Sequence, residues 1–199
     1  MNLLIVESPK KAKTIGQMLG PDWRVCASFG HIRDLPQKDL GIDLATFRPS
    51  YVVSPDKKEN VVKLKSIAAQ ADNVFLATDP DREGESIAWH LKVVLQLQDP
   101  KRVRFHEITP AAIQKALANP ATLHVNLVRA QEARRVADRL VGYQVSPVLC
   151  NQSGQALSAG RVQSPALRLV VDLEHVIRNF VPQHYFEITI VLDMGLTMK

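Results

Sequence analysis

Residues 74–95 constrain the fold more than any other stretch of this chain. Val74-Phe75-Leu76-Ala77 is a short apolar run that reads as a buried strand. Ser86-Ile87-Ala88-Trp89-His90-Leu91-Lys92-Val93-Val94-Leu95 reads as a helix with apolar residues on more than one side. Between them Asp79, Asp81, Glu83 and Glu85 put four carboxylates within seven residues. The acids therefore occupy a turn at the carboxyl end of a strand, where open α/β sheets bind ligands.

Carboxylates packed this closely repel one another unless a cation compensates them. Mg²⁺ takes oxygen ligands, usually one or two carboxylates completed by waters and phosphate oxygens. Asp79, Asp81 and Glu83 alternate, so an extended turn aims all three the same way. The plainer alternative is a solvated acidic turn that complements the start of the next helix.

Upstream the same layout recurs. Leu3-Leu4-Ile5-Val6 suits a central parallel strand buried on both faces. Glu7 ends it, Ser8-Pro9 gives an N-cap followed by proline at the first helical position, and Gly20 closes the helix. Were the two strands neighbours, Glu7 would lie near Asp79 and Asp81; alternatively Glu7 only complements the helix dipole. Arg24–Ser28 reads as a second strand leading into a loop, Phe29 to Pro36, that carries His31 beside a glycine.

Further along, Val61 to Ala68 make a helix, Val103-Arg104-Phe105 a short strand, and Thr109-Pro110 the cap of another helix ended by Asn119-Pro120. Strands alternating with helices over residues 1–118 predict a parallel α/β sheet. After Pro120 the period turns helical from Val125 to Leu149. A turn follows at Gln152-Ser153-Gly154, and a second helix starts near Arg161 and reaches about Asn179. Phe186, Ile188, Ile190 and Leu192 then alternate with polar residues, as in a half-buried strand that starts a new unit; the chain reads as cut there.

Composition excludes little. Lys and Arg number 25 against 20 Asp and Glu, for a net charge of +5. The placement says more, because Arg129, Arg134, Arg135, Arg139, Arg161 and Arg168 crowd the second half while the acids cluster in the first. A polyanion on the arginines with a metal at the acids accounts for that separation. No apolar run approaches a membrane span, so no membrane is expected. The start lacks a basic leader, and Cys26 and Cys150 lack metal-type spacing; both fit a reduced cytoplasmic setting.

Five blocks, in order, are specific enough to resemble a family. They are Leu4 to Ile15, Phe29 to Pro36, Ala77 to Glu85, Glu132 to Tyr143 and Leu157 to Ser164. Together they resemble the bacterial type IA DNA topoisomerases. The resemblance implies that residues 1–120 form a Toprim domain, a parallel-rich α/β sheet flanked by helices that binds Mg²⁺. Residues 121–199 would be part of a mainly helical domain that carries single-stranded DNA towards the active site. In that family a tyrosine attacks one strand and stays linked to its 5′ phosphate; strand passage and religation then relax negative supercoils.

Roles carry over onto matching positions. Glu7 resembles an acid that exchanges a proton with the departing 3′ oxygen, and a metal ligand; Lys11 resembles the lysine that neutralises the scissile phosphate. Asp79, Asp81 and Glu83 resemble the Mg²⁺ acids, with the catalytic arginine Arg82 among them. Arg161 suits a backbone phosphate. Arg134, Asp138, Ser158 and Gln163 match a nucleotide pocket, and His31 a DNA-proximal histidine. Spacing alone favours a helix-surface ion pair for Arg134 and Asp138, a helix cap for Ser158 and a solvated surface position for Gln163.

Tyr51, Tyr143 and Tyr185 are the only tyrosines, and none sits in the context of the family's nucleophile. The expectation is an amino-terminal part of the enzyme, associated with the nucleoid, that lacks the remaining topoisomerase domains and is inactive alone. Two alternatives stay open: a Toprim nuclease or primase-like phosphotransferase, and a non-catalytic single-strand-binding module.

Overall fold

The computed structural model describes residues 1–193 together with Thr197 and Met198, in two compact units, Met1–Ser158 and Ala159–Lys199. The first unit is built on a four-stranded parallel sheet ordered β2-β1-β5-β6, from β1 (Asn2–Val6), β2 (Trp23–Ala27), β5 (Asn73–Leu76) and β6 (Lys101–Arg102). Its helices are α1 (Pro9–Met18), α2 (Lys58–Ala69), α3 (Arg82–Val94), α4 (Pro110–Ala118), α5 (Val125–Leu140) and α6 (Ser146–Ser153). A two-stranded antiparallel ribbon of β3 (Arg33–Asp34) and β4 (Val52–Val53) interrupts the α/β alternation.

The apolar run of β1 is continuous because helices cover both faces of the sheet. Leu3 and Ile5 pack with Leu76 against α2 and α3, through Val61, Leu64, Ile87 and Leu91. Leu4 and Val6 pack with Phe75 against α1 and α4, through Ile15 and Ile113. Leu3 to Val6 are all fully buried. Alternate residues of one strand thus feed two cores, the period-2 geometry of any strand.

The predicted strand over Val103–Phe105 lies two residues earlier, at Lys101–Arg102. The hydrophobic pattern misplaces it because Arg102 is fully buried. Its guanidinium donates from Nε to Glu85 Oε2 at 2.9 Å, and from Nη1 and Nη2 to the carbonyls of Leu76, Thr78, Val103 and Asp79 at 2.7–3.0 Å. Glu85, also fully buried, accepts in addition from Arg104 Nη2 at 2.9 Å and from the His124 backbone N–H at 2.6 Å. Burial alone would push the Glu85 carboxyl up, but these donors hold it below the usual carboxylate range.

Other boundaries shift for local reasons. Helix α1 ends at Met18, with Leu19 in extended conformation at the cap, so Gly20 is not a left-handed terminator. The helical stretch Val125–Leu149 is one rod with a π turn, Val141–Val145, joining α5 to α6. Gly154 caps α6 at φ 67°. In the second unit α7 (Gln163–Arg178) forms as the periodicity predicts. There the alternation at 185–192 gives only β7 (Ile190–Val191), paired with β8 (Thr197–Met198). Phe186 and Ile188 are exposed, so the apolar face of that alternation has nothing against it among the described residues.

Removing one partner of a buried ion pair strands the other charge in the interior, at a cost of roughly 3–5 kcal/mol. Arg102→Ala is expected to lower unfolding free energy in urea by about that amount. A loss under ~1 kcal/mol would show that solvent reaches Glu85.

Candidate active site

Sheet order brings the acids together. β1 and β5 are parallel neighbours, with Ile5 opposite Leu76, so both chains leave the sheet at the same edge. Glu7 follows β1 directly, and Asp79 follows β5 after Ala77 and Thr78. Lys11 sits one turn into α1, which Ser8 starts by accepting from the Lys11 backbone N–H at 3.3 Å. The Lys11 ammonium donates to Glu7 Oε1 at 2.5 Å and to Asp79 Oδ1.

The three groups shift one another. Burial raises the Glu7 carboxyl, and the hydrogen bond and charge of Asp79 raise it further against the lowering pull of Lys11. For Asp79 burial acts upward too, but the hydrogen bonds with Glu7 and Lys11 outweigh it and hold the carboxyl down. Lys11 is lowered by burial and raised more strongly by its two carboxylate partners, so its net shift is upward. The arrangement moves the two carboxyls apart, Glu7 upward and Asp79 downward, with the Lys11 ammonium between them.

The other acids of the cluster do not point alike. The turn is not extended, because α3 begins at Arg82 and makes Asp81 its N-cap. Asp81 Oδ1 accepts from the Gly84 N–H at 2.7 Å. Glu83 lies in the first helical turn and meets His31 Nε2 at 3.3 Å. Glu85 faces the interior. Gly84 makes the tight turn possible: a Cβ there would lie 2.1 Å from the Asp79 carbonyl oxygen. Thr78 Oγ1 donates to the Gly84 carbonyl at 2.6 Å and closes the loop.

Glu7, Asp79, Asp81, Glu83 and His31 line one open cleft of about 670 Å³. His31 arrives on a loop pinned to the end of β1: Ser28 N–H donates to the Val6 carbonyl at 2.8 Å, and Gly30 N–H to that of Glu7 at 2.9 Å. Phe29 takes φ 61° there, a conformation costly for a residue with a Cβ, and its ring is exposed at the cleft wall.

Arg82 is the first residue of α3, exposed and outside the cleft lining. Arg134 and Asp138 form an i,i+4 pair on α5 at 3.8 Å, the surface pair their spacing favours, and do not line the cleft. Ser158 ends the first unit, while Arg161 and Gln163 belong to the second, at the start of α7.

Several polar residues escaped sequence reasoning. Arg135 holds Asp34 through two bonds of 2.8 and 2.7 Å. Arg139, buried on α5, donates to the carbonyls of Pro36 and Asp39, and its guanidinium lies 4.5 Å from the Tyr143 ring centroid. Arg33 Nε donates to His90 Nδ1 at 3.0 Å. Burial, with Arg33 beside it, pushes the His90 imidazole down to about 3. The density of arginine on α5 was the one sequence signal for this layer.

Among the described residues, no three His, Cys, Asp or Glu side chains stand close enough to enclose a metal. The donor chemistry nonetheless suits a hard cation. Asp79 and Asp81 supply oxygen donors on one cleft, one oxygen of Asp81 is engaged by Gly84, and Mg²⁺ needs no more than one or two carboxylates when phosphate completes its shell. No described helix is long and apolar enough to cross a membrane.

Two family models match successive parts of the chain. Residues 2–108 match the family model for the Toprim domain, and residues 122–198 that for DNA topoisomerase. A plasmid DNA topoisomerase I of Xylella fastidiosa (strain 9a5c) is 53% identical over 186 residues, which cover 94% of this chain and 28% of that protein. Full-length topoisomerase I from Thermotoga maritima superposes with a TM-score of 0.84 at 48% identity, covering 91% of this chain and 31% of that one. The chain thus spans under a third of the length of either relative.

Two titrations check this geometry. Asp79→Asn removes a negative charge beside Glu7, so the Glu7 midpoint, followed by carboxyl ¹³C shift, is expected to fall; an unchanged or higher midpoint contradicts the upward pull of Asp79 on Glu7. His90 is neutral when folded and free to protonate when unfolded. Its stabilising effect is therefore complete above the ordinary value of 6.5 and lost as pH falls towards about 3. At ~1.4 kcal/mol per unit, that is at most about 5 kcal/mol. Urea unfolding of His90→Gln is expected to lose much of this slope, and an unaltered slope contradicts it.

Proposed function

The chain belongs to the type IA DNA topoisomerases and carries their Toprim domain, and from that premise we propose that it supplies the phosphate-facing half of a strand-cleaving site that relaxes negatively supercoiled DNA. Toprim domains generally bind a metal, usually Mg²⁺. The observation that carries the reading is Lys11 bridging Glu7 and Asp79 at the ends of two adjacent parallel strands.

In this reading a tyrosine from another segment attacks a phosphate held in the cleft, its phenolic proton passes to solvent, and the bond to the 3′ oxygen breaks. Glu7, whose carboxyl burial and Asp79 raise above its ordinary value, gives a proton to that oxygen and recovers it on religation. Lys11 neutralises charge gathering on the phosphate as the bond breaks. Mg²⁺ on Asp79 and Asp81, with Glu83 beside them, would supply electrostatic positioning of the broken ends. His31 contacts the bound strand, and Arg82, exposed at the start of α3, meets its backbone. The domain of residues 1–120 holds this site. Residues 121–199 form part of the helical domain guiding a single strand, with Arg134, Asp138, Ser158, Arg161 and Gln163 along its path.

The tyrosines present do not fit the nucleophile's role. Burial pushes the Tyr51 hydroxyl up to about 12. The Tyr143 hydroxyl donates to the Gln37 carbonyl at 2.8 Å. None of Tyr51, Tyr143 and Tyr185 is among the cleft residues described. The working location is cytoplasmic, on the nucleoid.

The test is reconstitution. Mixed with a separate polypeptide carrying the other topoisomerase domains, the chain should restore Mg²⁺-dependent relaxation of negatively supercoiled plasmid, and Glu7→Ala should reduce it at least 100-fold, about 2.7 kcal/mol. Cleavage by the chain alone, without a protein–DNA adduct, would instead identify a nuclease.

A further inference from the structure

Beside the acidic cleft, and sharing His31 with it, lies a second and more enclosed cavity of about 80 Å³. At ~10–15 Å³ per water-sized probe position, that space holds several waters or one small ion. Its charges are unbalanced. Asp34 and Arg135 cancel in their two-bond pair, and the remaining Asp34 contact goes to the Leu35 N–H at 2.7 Å. Arg33 has no carboxylate partner among the described residues. Its Nε is bonded to the imidazole of His90, which burial keeps neutral, and its Nη2 is the one buried side-chain nitrogen or oxygen described without a hydrogen-bond partner.

Arg33 is also held in place. Its guanidinium carbon lies 5.1 Å from the Trp89 ring centroid and 5.6 Å from that of Tyr51. A planar cation clamped between aromatic rings and a neutral histidine has lost much of its water without gaining a counter-charge, an unfavourable state that an anion relieves. Ser86 and Gln131 add a hydroxyl and a carboxamide to the wall.

We propose that this cavity binds a single tetrahedral oxyanion, a phosphate group, held by Arg33 with Ser86 and Gln131 as neutral donors. The site adjoins the cleft through His31 but does not use Glu7, Lys11 or the metal-facing acids, and it holds whether or not the strand-cleavage reading does. The phosphate comes either from a nucleic-acid backbone or from solution as the free ion; the chemistry of recognition is the same.

Inorganic phosphate titrated into the ¹⁵N-labelled chain tests it, against sodium chloride of equal ionic strength. Phosphate should give saturable shifts of the Arg33 Nε–H and the Ser86 and Gln131 amides that chloride does not reproduce. Arg33→Gln should weaken binding at least tenfold. Gln131→Ala, which leaves the clamp intact, should weaken it two- to fivefold with an unchanged thermal midpoint. A short single-stranded oligonucleotide that displaces the phosphate identifies a backbone source; one that binds without displacing it identifies the free ion. Shifts that never saturate, that chloride matches, or that survive both substitutions overturn the proposal.

Discussion

A buried ion pair fixes the geometry of this site. Arg102 and Glu85 lie in the interior, and the same guanidinium that meets the carboxylate also caps three carbonyls between Leu76 and Asp79. The Thr78 and Asp79 carbonyls lie past the end of β5, where no strand partner remains to satisfy them, while that of Leu76 also accepts from the Val103 N–H at 2.9 Å. Arg102 supplies that partner from β6, the next strand over. Breaking the pair would release the acidic turn along with the charge.

Around this anchor the site works by compensation. Four carboxylates are brought to one cleft, and three of them are given different neighbours: Asp79 the ammonium of Lys11, Asp81 the N–H of Gly84, Glu83 the ring of His31. Repulsion among them is thereby divided into separate local balances. Glu7 is the acid whose carboxyl burial and Asp79 raise above its ordinary value. Environment thus shifts side chains of one chemical type in opposite directions.

The scaffold was legible because it depends on short-range pattern. Leu3–Val6 announces a strand covered on both faces, Ser8-Pro9 a helix start, and the acids after Val74–Ala77 a strand-end turn. The common edge followed from placing β1 beside β5. What stayed hidden depends on partners distant in sequence. Nothing near Arg102 reveals that its carboxylate is Glu85, and nothing near Arg33 points to His90, 57 residues away. The extended turn expected for Asp79–Glu83 failed for a local reason: Asp81 is as good a cap as it is an acid, and the helix began one residue after it. The strand expected at 185–192 rested on alternation alone, which signals a face to be buried and not what buries it.

Gly84 has a consequence beyond its own turn. With its α-carbon pressed against the Asp79 carbonyl, the first coil of α3 is wedged onto the strand end, and no bulkier residue can take that seat. The interval between Asp79 and Asp81 is then fixed by backbone contact and not by the acids' own preferences. Chemistry at this edge can be retuned only by swapping the groups that surround the carboxylates, because sliding the carboxylates themselves would force the whole helix off the sheet.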